Sequence, residues 1–206
     1  SGHSFVGSAR YDNLLTSTGI RVASRALFIN EGAFSNGNLV NRRDQTVQHE
    51  LTHLALARWT RPWTPTWLVE GTAGLFADET NYTALDDFVR QQGLDAVNLD
   101  SVTGMETLDQ AGVPLLVAYA YSTFVAETMV EQFGQAKFLE LYRAFADVDM
   151  DRVRVAAGDG VSVAPDRFRD LQHGSMDELL PRVLGISPAE LTARVKTRLQ
   201  ERLAHR

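Results

Sequence analysis

The segment His49-Glu50-Leu51-Thr52-His53 places two imidazole side chains four residues apart. On a helix, residues i and i+4 lie on the same face, so His49 and His53 can bind one metal ion. Glu50 is rotated away from that face by one residue, and its carboxylate can reach a water molecule on the ion rather than the ion itself. This arrangement is typical of a general base that acts on metal-bound water.

A catalytic zinc site usually has three protein ligands and one open position. The segment Trp67–Ala73 (WLVEGTA) offers Glu70 as the third ligand, and sixteen residues separate it from His53. This length allows the first helix to end, a turn to form at Pro62–Pro65, and a second helix to return beside the first. We therefore expect His49, His53 and Glu70 to bind Zn²⁺. Without the upstream motif, Glu70 would be read as a solvated helix carboxylate.

The composition restricts the other possibilities. The 206 residues are 44% hydrophobic and 22% charged, which is typical of one globular domain. The absence of cysteine excludes thiolate zinc sites, iron–sulfur clusters and a cysteine nucleophile. The net charge of −6 lacks the basic character of nucleic-acid-binding proteins, and no apolar run reaches the about 20 residues of a membrane span. Ser1-Gly2 resembles the remnant of a cleaved tag, so we expect the natural chain to be longer.

The chain divides into a β-rich part, residues 1–40, and a helical part, residues 41–206, which predicts a single domain of the α+β class. Short apolar stretches between Gly and Asn residues predict three strands, at Ile20–Ala23, Ala26–Asn30 and Ala33–Val40.

Helices are predicted from about Asn41 to Arg58, from Thr64 or Pro65 to Asp78, from Thr83 to Gly93, from Pro114 to Phe133, and from Gln135 to Asp147. A loop is expected over Val148–His173. Two capping boxes, Ser175–Glu178 and Ser187–Glu190, predict the starts of two further helices. The last of these carries an apolar stripe at i, i+4 spacing, formed by Leu191, Val195, Leu199 and Leu203.

HELTH followed by WLVEGTA resembles the gluzincin metallopeptidases, which include thermolysin-like and aminopeptidase N-like enzymes, and above all the bacterial peptidase MA-like domains. The resemblance implies a zincin-type domain in which the HExxH helix and the Glu70 helix pack side by side. It implies that a peptide or protein substrate is hydrolysed by metal-activated water, with Glu50 as general base. The sequence does not determine the compartment: the absence of cysteine agrees with the cytoplasm and with export from a bacterium, and between the two we favour an extracytoplasmic or secreted location. The sixteen-residue connection is shorter than in better-known members, so we expect a tighter turn.

A further likeness covers Ala118–Ser122 and the turn at Phe133-Gly134, which resemble the Tyr-bearing helix of the same families and the turn after it. This likeness implies that Tyr119 donates a hydrogen bond to the tetrahedral oxyanion. Tyr121 is the neighbouring alternative, and His173 is a further candidate donor.

Two positions depart from the family pattern. Gly32–Asn36 resembles the substrate-binding edge strand of aminopeptidase N-like enzymes, but Ser35 replaces the Glu that binds a free amine, which argues against aminopeptidase activity. Gly74 stands where thermolysin-like enzymes carry an Asp, four residues after the metal-binding Glu. The three tryptophans near the motif, Trp59, Trp63 and Trp67, are expected to pack the two helices together, or else to line a substrate pocket.

Two other functions compete with the peptidase reading. The same zinc-binding domain would serve as a binding or scaffolding module without turnover if its fourth metal position were closed. It would alternatively be a zinc hydrolase that acts on a non-peptide substrate. Turnover of peptide, amide and ester libraries distinguishes the three.

Overall fold

The computed structural model of the chain describes residues 7–16, 19–34, 42–104, 112–148 and 165–205. A two-stranded antiparallel sheet comes first, and helices make up most of the rest, which agrees with the predicted α+β class. None of the helices described is long and apolar enough to cross a lipid bilayer.

The sheet is a hairpin of β1 (Gly7–Thr16) and β2 (Gly19–Ile29). Gly7 lies opposite Ile29 and Thr16 opposite Gly19, and the register shifts between Asp12 and Asn13. Strand β2 joins the two predicted strands Ile20–Ala23 and Ala26–Asn30 into one. Strand β1 was not predicted.

The predicted strand at Ala33–Val40 is wrong at its start. Residues Glu31–Phe34 form a single helical turn, α1, and residues 35–41 lie outside those described. Asn30 directly precedes this turn, at a position where Asn is a favoured helix cap, and Phe34 is buried. The first three residues of the segment Gly32–Asn36, which resembles an edge strand, are therefore helical and not extended.

The other helices among the described residues are α2 (Arg43–Leu56), α3 (Thr66–Phe76), α4 (Thr83–Gln92), α5 (Leu115–Phe133), α6 (Gln135–Ala146), α7 (Pro165–Leu184) and α8 (Pro188–Ala204). Single 3₁₀ turns lie at Leu94–Ala96 and Asp100–Val102. As predicted, glycines end α4 and α5: Gly93 has φ 90° and Gly134 has φ 84°, a region that other residues rarely adopt.

Of two predicted helix caps, Thr64 differs from the structure and Ser187 agrees with it. Thr64 does not cap α3; its hydroxyl accepts a hydrogen bond from the Arg61 N–H at 3.0 Å and closes the preceding turn. Ser187 does cap α8, because the Glu190 N–H donates to its hydroxyl at 3.2 Å and the Glu190 carboxylate accepts from the Ser187 N–H at 2.8 Å.

The predicted loop over Val148–His173 is wrong in its last part, because α7 begins at Pro165; residues 149–164 lie outside those described. Proline is common at the first position of a helix, where its missing N–H costs nothing. Ser175 does not open a helix either: it lies buried inside α7. Glu178 pairs with Arg182 one turn later, at 3.3 Å, on the exposed face.

Helix α5 lies at the centre of the hydrophobic core and buries side chains such as Tyr121, Phe124, Val125 and Met129. Trp63 and Trp67 are buried in the same core, and the Trp63 indole donates a hydrogen bond to the Phe145 carbonyl at 2.9 Å. As predicted, Leu191, Val195 and Leu199 bury one face of α8; Leu203 is partly buried against the same core.

Helix α8 is also held by ion pairs. Arg202 contacts both carboxylate oxygens of Asp86 on α4, at 3.0 and 3.1 Å, and Arg198 contacts Glu127 on α5 at 3.1 Å. The Asp86 side chain is only 2% exposed. These two arginines therefore fasten α8 to the core, although the sequence pattern alone predicts a solvated basic face.

Helices α3 and α5 approach each other at Gly71. A Cβ atom at Gly71 would lie 2.3 Å from the carbonyl oxygen of Ser122, closer than a real Cβ atom approaches an oxygen. Because both partners belong to helix backbones, neither can move without shifting its helix.

We expect Gly71→Ala to lower the free energy of unfolding by about 1–3 kcal/mol, as overpacking of a core does. Gly174→Ala in α7 is the matched control, because nothing lies within 4 Å of the Cβ it would add. There the substitution should raise the free energy of unfolding by about 0.5–1 kcal/mol, since alanine favours helix. Urea unfolding measures both, and equal effects would contradict the close contact.

Candidate metal centre

Helix α2 carries His49, Glu50 and His53, and α3 returns beside it with Glu70 in its second turn. The connection is tight, as the short spacing predicts. The Trp59 and Thr60 N–H groups both donate to the Leu56 carbonyl, and Thr64 N–H donates to the Arg61 carbonyl. Two consecutive turns therefore reverse the chain within the sixteen residues.

Three candidate ligand atoms meet between the two helices. His49 Nε2 lies 3.2 Å and His53 Nε2 lies 3.4 Å from the same carboxylate oxygen, Glu70 Oε2. The candidate ligand atoms of the three residues all lie within 4.8 Å of one another. Two atoms that bind a tetrahedral zinc ion at about 2.0–2.1 Å lie about 3.3 Å apart. The two shorter distances thus match the spacing that a tetrahedral ion requires.

The three groups are largely buried: the side chains of His49 and His53 are each 12% exposed and that of Glu70 is 19% exposed. Burial raises the pKa of Glu70, but hydrogen bonds from both histidines outweigh this and lower the pKa to about 2. Burial lowers the pKa of His49, but hydrogen bonds to Glu70 and Glu79 outweigh it and raise the pKa to about 10. The site therefore stabilises a positive charge on His49 beside the ionised carboxylate of Glu70.

Glu79 is a residue of this site that the sequence motif does not predict. Its Oε2 lies 3.1 Å from His49 Nδ1, the ring nitrogen on the side away from Glu70. A carboxylate at this position fixes the orientation of the ring and directs Nε2 toward the metal position. Glu79 thus provides a carboxylate contact to one of the two imidazole rings.

The end of α3 brings Glu79 to His49. Asp78 adopts a left-handed conformation, with φ 56°. Its N–H donates to the Leu75 carbonyl at 3.3 Å, and the Glu79 N–H donates to the Gly74 carbonyl at 2.9 Å. This pair of hydrogen bonds is the Schellman motif, which turns the chain back over the last turn of a helix.

Helix α2 contacts this turn directly. The Gln45 amide donates to the Asp78 carbonyl at 3.0 Å, and the Gln48 amide donates to the Phe76 carbonyl. Both glutamines are within one turn of His49. The helix that carries the imidazoles therefore also satisfies the carbonyls at the end of the helix that carries Glu70.

Gly74 leaves room for this arrangement. A Cβ atom there would lie 2.1 Å from Thr123 Oγ1 on α5 and 3.3 Å from Glu79 Oε2. Any side chain at position 74 would need the space that Thr123 occupies and would press on the Glu79 carboxylate.

Glu50 lies beneath the hairpin. Its side chain is buried, and its carboxylate accepts a hydrogen bond from the Ala9 backbone N–H. A Cβ atom at Gly7 would lie 2.8 Å from Thr46 Cγ2 and 3.0 Å from Glu50 Cγ, so β1 passes close over α2. Burial raises the pKa of Glu50, and the charges of the two histidines act against this shift.

A cleft of about 200 Å³ opens on this centre. Strand β1 lines it on one side. Of the segment that resembles an edge strand, the described residues Gly32, Ala33 and Phe34 do not line it, and Ser35 and Asn36 lie outside the described residues. The lining residues are Gly7, Ser8, Ala9, His49, Glu50, His53, Val69, Glu70 and Tyr119.

The three candidate oxyanion donors lie in different places. Tyr119 lines the cleft, and its ring centroid is 6.3 Å from that of His49. Tyr121 is 1% exposed in the core, and its hydroxyl has no hydrogen-bond partner in the described part of the chain. His173 lies in α7, 3.8 Å from an Asp100 oxygen, and is not among the residues that line the cleft.

We expect Glu79→Ala to weaken Zn²⁺ binding by about 10–100-fold, because His49 loses the carboxylate that orients its ring. Glu79→Gln should weaken it less, since the amide oxygen can still accept from Nδ1–H. Glu140→Ala is the control, because Glu140 pairs with Lys137 on the exposed face of α6. Competition titration with a chelating dye measures the three affinities; an unchanged affinity in Glu79→Ala would rule out the orienting role.

No known protein family, curated protein or solved structure matches this chain. The likeness to gluzincin metallopeptidases therefore stays a prediction from the motif residues. The distances among His49, His53 and Glu70 are the structural observations that bear on it.

Proposed function

We propose that the chain is a zinc-dependent metallopeptidase, with Zn²⁺ held by His49, His53 and Glu70. The convergence of both imidazoles on one Glu70 oxygen, at 3.2 and 3.4 Å, carries the proposal. Two His, one Glu and an open fourth position form a hydrolytic zinc site. Zinc bound there supplies Lewis acidity, which polarises a carbonyl and lowers the pKa of water.

Glu50 is the general base of the proposed reaction. Glu50 lines the cleft together with both histidines, and burial raises its pKa, a direction that favours a group that must first accept a proton and then donate it. Glu50 takes a proton from the attacking water and passes it to the amine that leaves when the C–N bond breaks.

Tyr119 is the proposed oxyanion donor. Burial and the negative charges of Glu70 and Glu50 raise its pKa, so its hydroxyl keeps its proton and can donate it in a hydrogen bond. The position of Tyr119 on the cleft, beside the ring of His49, supports this role.

One observation favours the alternative of a zinc-binding module without turnover. The carboxylate of Glu50 is engaged by the Ala9 N–H, and its side chain is only 8% exposed beneath β1. A base in this position can act only if water reaches it from the cleft. Activity measurements therefore decide between the two functions.

The test separates metal binding from chemistry. We expect about one Zn²⁺ per chain by metal analysis, and loss of that metal in His49→Ala and His53→Ala, because the site has only three protein ligands. His205→Ala, near the C-terminal end of the chain, is the control. Zinc retained in both ligand variants would refute the site.

Glu50→Gln should keep Zn²⁺ and lose cleavage of a peptide library, because an amide cannot accept the proton of water. Chelator should abolish the cleavage by the wild-type chain. Zinc binding without any cleavage by the wild type would support the module without turnover, and cleavage by Glu50→Gln at the wild-type rate would exclude Glu50 as the base.

Tyr119→Phe should lower kcat by about 10²–10³ with little change in KM, because the hydroxyl contacts the oxyanion mainly in the transition state. Tyr121→Phe is the matched control, since it removes a hydroxyl that lies in the core away from the cleft. Steady-state kinetics on one library peptide compares them. The reverse ranking would assign the role to Tyr121.

A further inference from the structure

A second cavity lies on another face of α2, away from the metal centre. It is a groove of about 360 Å³, within the size range of small-molecule sites. Ala55, Leu56 and Trp59 line it from α2 and the turn after it, and Leu139, Tyr142 and Arg143 line it from α6. Phe76, at the end of α3, adds a further apolar wall.

The polar groups of the groove are mostly engaged inside the protein. The Gln48 amide donates to the Phe76 carbonyl, and the Thr52 hydroxyl donates to the Gln48 carbonyl at 2.8 Å. The Tyr142 hydroxyl forms a buried hydrogen bond of 2.6 Å with the Thr60 hydroxyl. The Tyr142 hydroxyl is therefore engaged inside the protein, and the lining of the groove is mostly apolar.

Two positively charged guanidinium groups pack on the indole of Trp59, which lines the groove. The guanidinium carbons of Arg58 and Arg143 lie 3.8 and 4.8 Å from the ring centroid of Trp59. In the part of the chain that the structure describes, neither arginine forms an ion pair with a carboxylate. Stacking on an aromatic ring holds a guanidinium in place while its N–H groups stay available for an anion.

We infer that this groove binds a small amphiphilic carboxylate, with its apolar body on the apolar part of the lining and its carboxylate on Arg143. Arg143 lines the groove itself, and its planar fork of N–H donors matches one carboxylate. Arg58 does not line the groove, but it packs on the same Trp59 indole and adds positive charge near Arg143. A phosphate carries a second negative charge. Arg143 is the one cationic residue among the described residues that line the groove, so that second charge would have no partner there. This site is independent of the metal.

Calorimetric titration of the full chain with decanoate, below its micelle concentration, tests the inference. We expect saturable binding that decanol does not reproduce, because decanol has the apolar body without the charge. Arg143→Gln should weaken decanoate binding by about tenfold or more, and Lys137→Gln, on the same helix but outside the groove, should not. His53→Ala should bind decanoate as the wild type does.

A second pair of variants tests whether the ligand occupies the apolar part of the groove. Ala55→Phe fills the groove from an exposed position and should abolish binding, whereas Ala136→Phe, exposed on α6 outside the groove, should leave it unchanged. Absence of decanoate binding, equal binding of decanol, or an unaltered affinity in both Arg143→Gln and Ala55→Phe would overturn the inference. Binding of an apolar peptide through its C-terminal carboxylate, without binding of decanoate, would overturn it in favour of a peptide site.

Discussion

The position of one carboxylate oxygen constrains the rest of this structure. Glu70 Oε2 lies within hydrogen-bonding range of both imidazoles on α2, so α3 must return close beside α2 in the correct rotation. Three other features hold it there. Two consecutive turns reverse the chain, Gly71 allows α5 to approach from behind, and the amides of Gln45 and Gln48 bind the end of α3. These three features come from different parts of the sequence, and each of them positions α3.

The charge of the centre is consistent with a divalent cation. Three carboxylates, Glu50, Glu70 and Glu79, face two imidazoles in a largely buried space, and buried carboxylates are costly without positive partners. An imidazole must lose its proton before it can bind a metal ion. Because hydrogen bonds to Glu70 and Glu79 raise the pKa of His49, protons compete with a metal for this ring, and the affinity for a metal should rise with pH.

The sequence predicts the features that depend on local signals. The pairing of His49 with His53 follows from helical spacing, and Glu70 from a connection long enough for a second helix to return. Gly93 and Gly134 end helices where predicted, and Ser187 caps α8 through a four-residue motif. Strand β1 was missed because GSARYDNLLT shows no regular alternation of apolar and polar residues. The start of α7 was misplaced because Ser175-x-x-Glu178 has the form of a cap but lies inside the helix.

Glu79 could not be predicted for a different reason. Its contact with His49 depends on the left-handed backbone of Asp78 and on the space that Gly74 leaves beside Thr123. The same holds for Arg198 and Arg202, which form ion pairs with residues on α4 and α5 that are distant in the chain. A charged residue in a helical pattern is usually solvated, and only the packing of distant elements shows which ones are not.

The candidate metal ligands, and Glu79 beside His49, all lie between residues 49 and 79, in α2, in α3 and in the turn that follows α3. Tyr119 and the strand over Glu50 come from distant parts of the chain. Contacts between residues close in sequence require little loop closure and form early in folding. The proposed metal ligands can therefore come together in a nascent or partly folded chain before the proposed catalytic cleft exists. An ion bound in such a chain would act first as a nucleus for folding, and only later as the proposed cofactor.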